Sequence, residues 1–337
     1  MHSYGGRNDG LFHAAILESG GPVGAPLNAL PYYQFAYENL TRTVGCWDSS
    51  DKLACLRNLT SEELFNSNYT VVWNPLVDGD FLTAYPSDLA AQGKFIHVPL
   101  LNGANTDEGG SFNIGGLDNE TALANALLYW RNYALAPDSI RTILDLYPNN
   151  PGPEEVPFNN PTDEIFPERG LQWRRDATIG GDLVMIAQRR KTCEQFAQNG
   201  VKDVYSYRFD TPLWNASDIS EPVTVRHFDN VMFSFQNISG ALGPLPEYQS
   251  YRSLSKSIGR AYASFASSHQ PNGAVAGLGG AYGGQMGNAT GLPTWPRYSS
   301  QAPTNMVLNS HGSFVEEDTW RREGVAFINS ISRELLA

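Results

Sequence analysis

Between His97 and Phe112 the chain reads His-Val-Pro-Leu-Leu-Asn-Gly-Ala-Asn-Thr-Asp-Glu-Gly-Gly-Ser-Phe. An apolar run this short, ending at a glycine and followed by a carboxylate-bearing turn, fits few places other than a buried strand feeding a loop. The strand is expected from Val98 to Asn102 and is expected to break at Gly103, with Pro99 marking strand entry rather than helix. Asp107 and Glu108 then stand in a tight loop before Gly109 and Gly110. Gly-rich turns after buried strands are where α/β proteins place their chemistry. Read alone, two such acids are more often solvated loop charges than catalytic groups.

The rest of the chain alternates in the same manner. Ala15 to Glu18 reads as a strand closed by Ser19-Gly20-Gly21-Pro22, and residues 31–44 as a helix with spaced aromatics. Ser61 opens a helix with Glu62 and Glu63 in its first turn, and Pro86 starts a short one toward Gln92. Thr121 to Leu135 and Pro137 to Tyr147 have helical periodicity. Asp182 is expected to cap a helix running to about Gln198. Asp203 to Phe209 sets Val204, Ser206 and Arg208 against Tyr205, Tyr207 and Phe209, a strand pattern. A long amphipathic helix is expected from Tyr248 to Ser268, a last short strand from Asn305 to Leu308, and a closing helix from Glu316 to Leu335. Residues 149–170 and Pro271 to Gly291 read as long loops. No internal repeat is visible. Strands alternating with helices predict an α/β fold: a parallel or mixed sheet covered on both faces.

Composition narrows the function. With 337 residues, 41% hydrophobic and 12% aromatic, the chain can bury a sizeable core. A net charge of −12, from 35 acidic and 23 basic residues, argues against a nucleic-acid partner, which needs a basic face. No apolar run approaches the roughly 18 residues of a membrane span, and no signal peptide opens the chain. Asn-x-Ser/Thr sequons nonetheless begin at Asn39, Asn58, Asn68, Asn119, Asn215, Asn237 and Asn288, a density that fits an extracellular glycoprotein. Cys46 and Cys55 lie close enough in sequence to close a small ring. Cys193 shares a helical face with Leu183, Ile186, Ala187 and Ala197 and reads as a small core residue. His2, His13, His97, His269 and His311 have no partner at metal-ligand spacing, so neither a metal nor a cofactor is expected.

His227 differs from the other histidines. It lies in Thr-Val-Arg-His-Phe-Asp-Asn-Val-Met-Phe, surrounded by side chains able to hold the ring. Its neighbours alone fit a satisfied core histidine and a base equally well. An acid on one loop after a strand, followed far downstream by such a histidine, matches the second and third members of the Ser…Asp/Glu…His order of α/β-hydrolases. Further segments make the resemblance specific: Leu11 to Gly21, Asp51 to Arg57 around Cys55, Val77-Asp78-Gly79, Asn105 to Gly109, Asp182 to Arg190, Val204 to Phe209, and Trp295-Pro296. In this order they resemble the C-terminal part of a type-B carboxylesterase or lipase, of the cholinesterase-like α/β-hydrolase family, and most of all secreted fungal members.

The resemblance implies one α/β-hydrolase domain over residues 1–337 that lacks its N-terminal part. Glu108 becomes the acid, His227 the base, Asp107 a neighbour only, and Cys46–Cys55 a disulfide. A small-molecule or lipid ester becomes the substrate. The chain departs from the family where the nucleophile belongs. No Gly-x-Ser-x-Gly occurs, since Ser19 follows Leu17 and Glu18, and Ser111 precedes Phe112 and Asn113. The Gly-rich oxyanion loop is absent as well. Both are expected upstream, in a missing N-terminal half, so the chain alone should lack the group that forms the covalent bond. Two functions compete: a carboxylic-ester hydrolase of which this is a part, and a non-catalytic cholinesterase-like binding or adhesion module. Retention of Glu108 and His227 favours the first, since a pure binding module has no need of either.

Overall fold

Among the described residues, five strands form one sheet in the order β1 (Ala15–Glu18), β2 (Leu100–Asn105), β3 (Val204–Phe209), β4 (Thr304–Leu308) and β5 (Phe314–Glu317). Neighbours from β1 to β4 are parallel, and β4 and β5 are antiparallel. The structure is a computed structural model that describes residues 1–21, 26–67, 69, 73–130, 134–149, 169–213, 224–237, 245, 248–273 and 290–337. The expected loops at 149–170 and 271–291 fall largely outside the described residues.

Parallel neighbours require long crossovers, and these carry the helices. Between β1 and β2 lie α1 (Leu30–Thr43), α2 (Lys52–Asn58), α3 (Ser61–Asn66) and α4 (Pro86–Ala91). Pro86 occupies the first turn of α4, and Thr60 with Glu63 forms a reciprocal capping box on α3. The disulfide Cys46–Cys55, with Cα atoms 5.7 Å apart, ties the end of α1 to α2. Between β2 and β3 come α5 (Glu120–Trp130), α6 (Pro137–Leu146), α7 (Trp173–Gly181) and α8 (Ala187–Gln198). The last crossover contains α9 (Val231–Ser234) and α10 (Gln249–Ser268), and α11 (Arg322–Ser330) follows the sheet.

Side-chain alternation decides which helix covers which face. Leu101, Tyr205, Tyr207, Phe209, Met306 and Leu308 pack on one face with Leu254, Ile258, Ala261 and Phe265 of α10. On the other face, Leu100 and Val204 meet Cys193 and Phe196 of α8. That second face is not uniformly apolar. Asn102, Ser206 and Asn305 are fully or nearly fully buried there. Arg189 of α8 donates to Ser206 Oγ at 2.9 Å and to Asn305 Oδ1 at 3.0 Å, and it forms a two-pronged ion pair with Asp318. Arg190 donates to the same Asp318 at 2.9 Å. Burial raises the Asp318 carboxyl, but the two guanidiniums outweigh that effect and hold it well below the usual carboxylate range.

Three sequence expectations need correction. β2 does not break at Gly103 but runs on to Asn105. Gly103 stands opposite Tyr207, and a Cβ there would sit 2.1 Å from that ring, so the glycine makes room for an aromatic neighbour rather than ending the strand. Asp182 does not cap a helix. It opens a π-helical turn, Asp182–Ile186, inside a continuous helical run that begins at Trp173. Its buried carboxylate takes two bonds from Arg321, at 2.7 and 2.6 Å, and one from Tyr147 at 2.7 Å. The closing helix starts six residues later than expected, at Arg322 rather than Glu316, because Glu316 belongs to β5 and pairs bidentately with Arg208 at 2.8 Å. No helix among the described residues is long and apolar enough to cross a membrane.

Candidate active site

The carboxyl ends of β1, β2 and β3 set the position of the site, as expected for ligand sites in parallel sheets. Beyond β2 the chain turns at Thr106, whose N–H donates to the Phe209 carbonyl at 3.0 Å, and the Asp107 N–H donates to the Val225 carbonyl at 3.0 Å. A single 3-10 turn, Glu108–Ser111, follows. It lies directly on the backbone of α7: a Cβ on Gly109 would meet the Ala177 carbonyl oxygen at 1.7 Å and the Gly181 nitrogen at 2.6 Å. Only glycine permits this approach, and the approach fixes where the neighbouring Glu108 points.

Glu108 is fully buried, and both of its carboxylate oxygens are engaged. Oε2 lies 2.7 Å from His227 Nδ1. Oε1 accepts the Asn105 N–H at 2.6 Å and a short bond from Ser19 Oγ. A carboxylate only accepts, so Nδ1 carries the proton and Nε2 is left as the basic nitrogen of the neutral ring. The ring is 24% exposed. It packs against Phe112 and Phe228, with centroids 4.8 and 5.7 Å away. The turn that carries it places Phe228 at φ 82°, in the left-handed region.

Glu108 and His227, the two residues singled out in the sequence, are therefore in contact. Asp107 is not on the imidazole. Burial pushes its carboxyl up to about 6, against the pull of Arg321 and Arg174. Asp229, two residues past His227, accepts the Arg226 N–H at 2.8 Å, and burial pushes it up to about 7. Sequence reasoning weighed Ser19 only as a nucleophile and rejected it. Its place after β1, at the end of Leu-Glu-Ser-Gly-Gly, was the available signal for a second role beside the acid. Asn105 and Asp229 carried no sequence signal beyond their closeness to Glu108 and His227.

The other histidines lie elsewhere. His2 is buried against Phe95, and burial lowers it to about 4. His13 and His97 contact the carbonyls of Ala266 and Gly93, each at 3.0 Å. No group of three metal-ligating side chains is found among the described residues. Cys193 is buried and unpaired. Of the sequons, Asn58 and Asn119 are exposed and Asn39 and Asn237 half-buried, while Asn68, Asn215 and Asn288 lie outside the described residues.

An acid after β2 and a histidine after β3, both at the carboxyl end of a parallel sheet, match the α/β-hydrolase architecture. The crystal structure of Aspergillus niger EstA superimposes on the whole chain with a TM-score of 0.80 and 19% identity, covering 62% of that protein. Residues 1–327 match the carboxylesterase family, and the chain belongs to it. Similar proteins include Lipase 4 of Diutina rugosa, 28% identical over 96% of this chain and 54% of that protein. Secreted lipase 1 of Botryotinia fuckeliana is 28% identical over 94% of this chain and 53% of its own. The chain thus spans about half the length of the curated relatives it matches.

Proposed function

We propose that this chain supplies the acid and base, Glu108 and His227, of a Ser-Glu-His carboxylic-ester hydrolase whose nucleophilic serine comes from outside these 337 residues. The observation that carries the reading is the 2.7 Å contact from Nδ1 to a buried carboxylate whose other oxygen is held by two donors. Such a carboxylate cannot swing away. It fixes the imidazole tautomer and stabilises the imidazolium formed during reaction. His227 Nε2 takes the serine proton as the hydroxyl oxygen bonds to the ester carbonyl. It then returns that proton to the alkoxy oxygen, so that the alcohol leaves and an acyl-serine remains. Water repeats the sequence and releases the acid. Metal and cofactor have no part in this scheme. The substrate is a small-molecule or lipid ester, and the sequons, the disulfide and relatives named as secreted support an extracellular setting.

Hydrolysis of p-nitrophenyl esters tests the reading. The isolated chain is expected to work no faster than free imidazole, and a protein that also contains the serine segment is expected to turn over. In that protein His227→Ala abolishes activity, and Glu108→Gln lowers kcat by about 10⁴. Robust turnover by the isolated chain, with acyl label on one of its own serines, would overturn the placement of the nucleophile. Full activity in His227→Ala would overturn the acid–base assignment.

A further inference from the structure

Asn105 ends β2 three residues before Glu108 and is 1% exposed. Its main chain and side chain hold different partners. The backbone N–H donates to Glu108 Oε1 at 2.6 Å, while Nδ2 donates to the Arg226 carbonyl at 2.6 Å and to Asn230 Oδ1 at 3.2 Å. Arg226 and Asn230 bracket His227. One residue therefore touches the acid and grips both sides of the turn that carries the base.

Only the donor end of the amide is engaged. Asn105 Oδ1 is buried without a hydrogen-bond partner among the described residues, and an unmet buried acceptor costs about 1–3 kcal/mol. An apolar residue of similar size would avoid that penalty but would strand the Arg226 carbonyl and Asn230 Oδ1, which Nδ2 serves. The histidine turn also needs restraint, because Phe228 is held at φ 82°. A non-glycine residue in that region persists only where its surroundings over-determine it. Asp229 restrains the turn locally through the Arg226 N–H at 2.8 Å. Asp107 and Ser111 reach the same segment from the loop after β2, through the Val225 and His227 carbonyls, but Asn105 holds the turn from β2 itself.

We propose that Asn105 is a positioning residue that sets the Glu108–His227 contact. The proposal rests on the reading of that pair as acid and base. Without the Nδ2 bonds the turn relaxes, and the imidazole loses its register with Oε2, while the backbone bond to Oε1 stays in place.

The test is NMR on the 337-residue chain with ¹⁵N-labelled histidine. The Nδ1–H of His227 is expected as a downfield, exchange-protected resonance, assigned by its loss in His227→Ala. Glu108→Gln controls for the pair: if the resonance persists there unchanged, the acid–base reading itself fails. With that control passed, Asn105→Asp, which sets an acceptor-only carboxylate against the Arg226 carbonyl, is expected to lose the resonance. Asn105→Ala is expected to weaken and broaden it, and Asn105→Ser, which keeps one donor, to restore part of it. In the serine-containing protein, Asn105→Ala lowers kcat by about 10–100-fold with KM within about twofold. An undiminished resonance in both the Ala and Asp variants would overturn the proposal and leave the acid–base reading standing. Global unfolding of all three Asn105 variants, seen as loss of the dispersed methyl spectrum, would overturn it too, by making Asn105 a determinant of the fold rather than of the contact.

Discussion

Single carboxylates in this protein face in opposite electrostatic directions, and their pH behaviour follows. Burial raises Asp176 to about 7, although it accepts the Ile114 N–H at 2.5 Å, and Asp229 and Asp107 are raised to about 7 and 6. Unfolded aspartates titrate near 3.9. Between about pH 4 and 7 the native state therefore holds more protons than the unfolded chain, and stability falls as pH rises through that window. Asp318 has the opposite sign. Its contribution is present above the unfolded value and drains away as pH falls below it. Urea denaturation across pH 3–8 should show greatest stability near about pH 4–5. Asp176→Asn keeps an acceptor for Ile114 and removes the buried charge. It is expected to flatten the slope above pH 5 and to add on the order of 1–3 kcal/mol at pH 8. A variant with the parent's slope would assign that slope to other groups.

At the scale of elements, close backbone approach dominates, and the 3-10 turn lying on α7 is the tightest case. Gly109→Ala is expected to lower stability by at least about 2 kcal/mol, read as a fall in urea midpoint, because neither turn nor helix can yield by the distance required. Gly115 has no atom within 4 Å of its would-be Cβ, so Gly115→Ala should change stability by less than about 0.5 kcal/mol. Replacing Cys46 and Cys55 by serine should remove about 2–3 kcal/mol, the loop entropy of a ring this size. Most elements were legible in the sequence because alternation and caps act locally: β3 matched its period-2 pattern, and α4 began at its proline. Others were not, because their causes lie across the molecule. Gly103 is explained by Tyr207 on the next strand, and Asp182 by Arg321 at the start of α11, 139 residues further along the chain. Phe314–Glu317 is a strand because β4 is there to pair with it and Arg208 to bind Glu316. Glu108 and His227 could be named from their order, but Asn105, Ser19 and Asp229 could be found only once three strand ends had been brought together.

The sheet of the whole molecule has two unlike ends. At one, β5 turns antiparallel and carries Glu316 and Glu317, a charged edge of the kind that discourages further pairing. At the other, β1 pairs with β2, and no described strand pairs with its remaining backbone edge. The isolated chain should therefore self-associate, with light scattering that grows with concentration; a strictly monomeric chain at high concentration would count against an open edge. Ser19, which follows β1 directly, already bonds to Glu108. Among the described residues, the open edge of β1 and the Glu108–His227 pair thus meet through Ser19, and a strand that docked on β1 would arrive near the imidazole. If the proposed serine segment docks there, adding to the sheet and completing the site become one equilibrium. By reciprocity, any molecule that binds across the finished site must tighten the hold on the added strand by the same factor that the strand tightens the hold on it. An ester-like ligand would then behave as a molecular glue, and its affinity would be measurable as the protein's own cohesion.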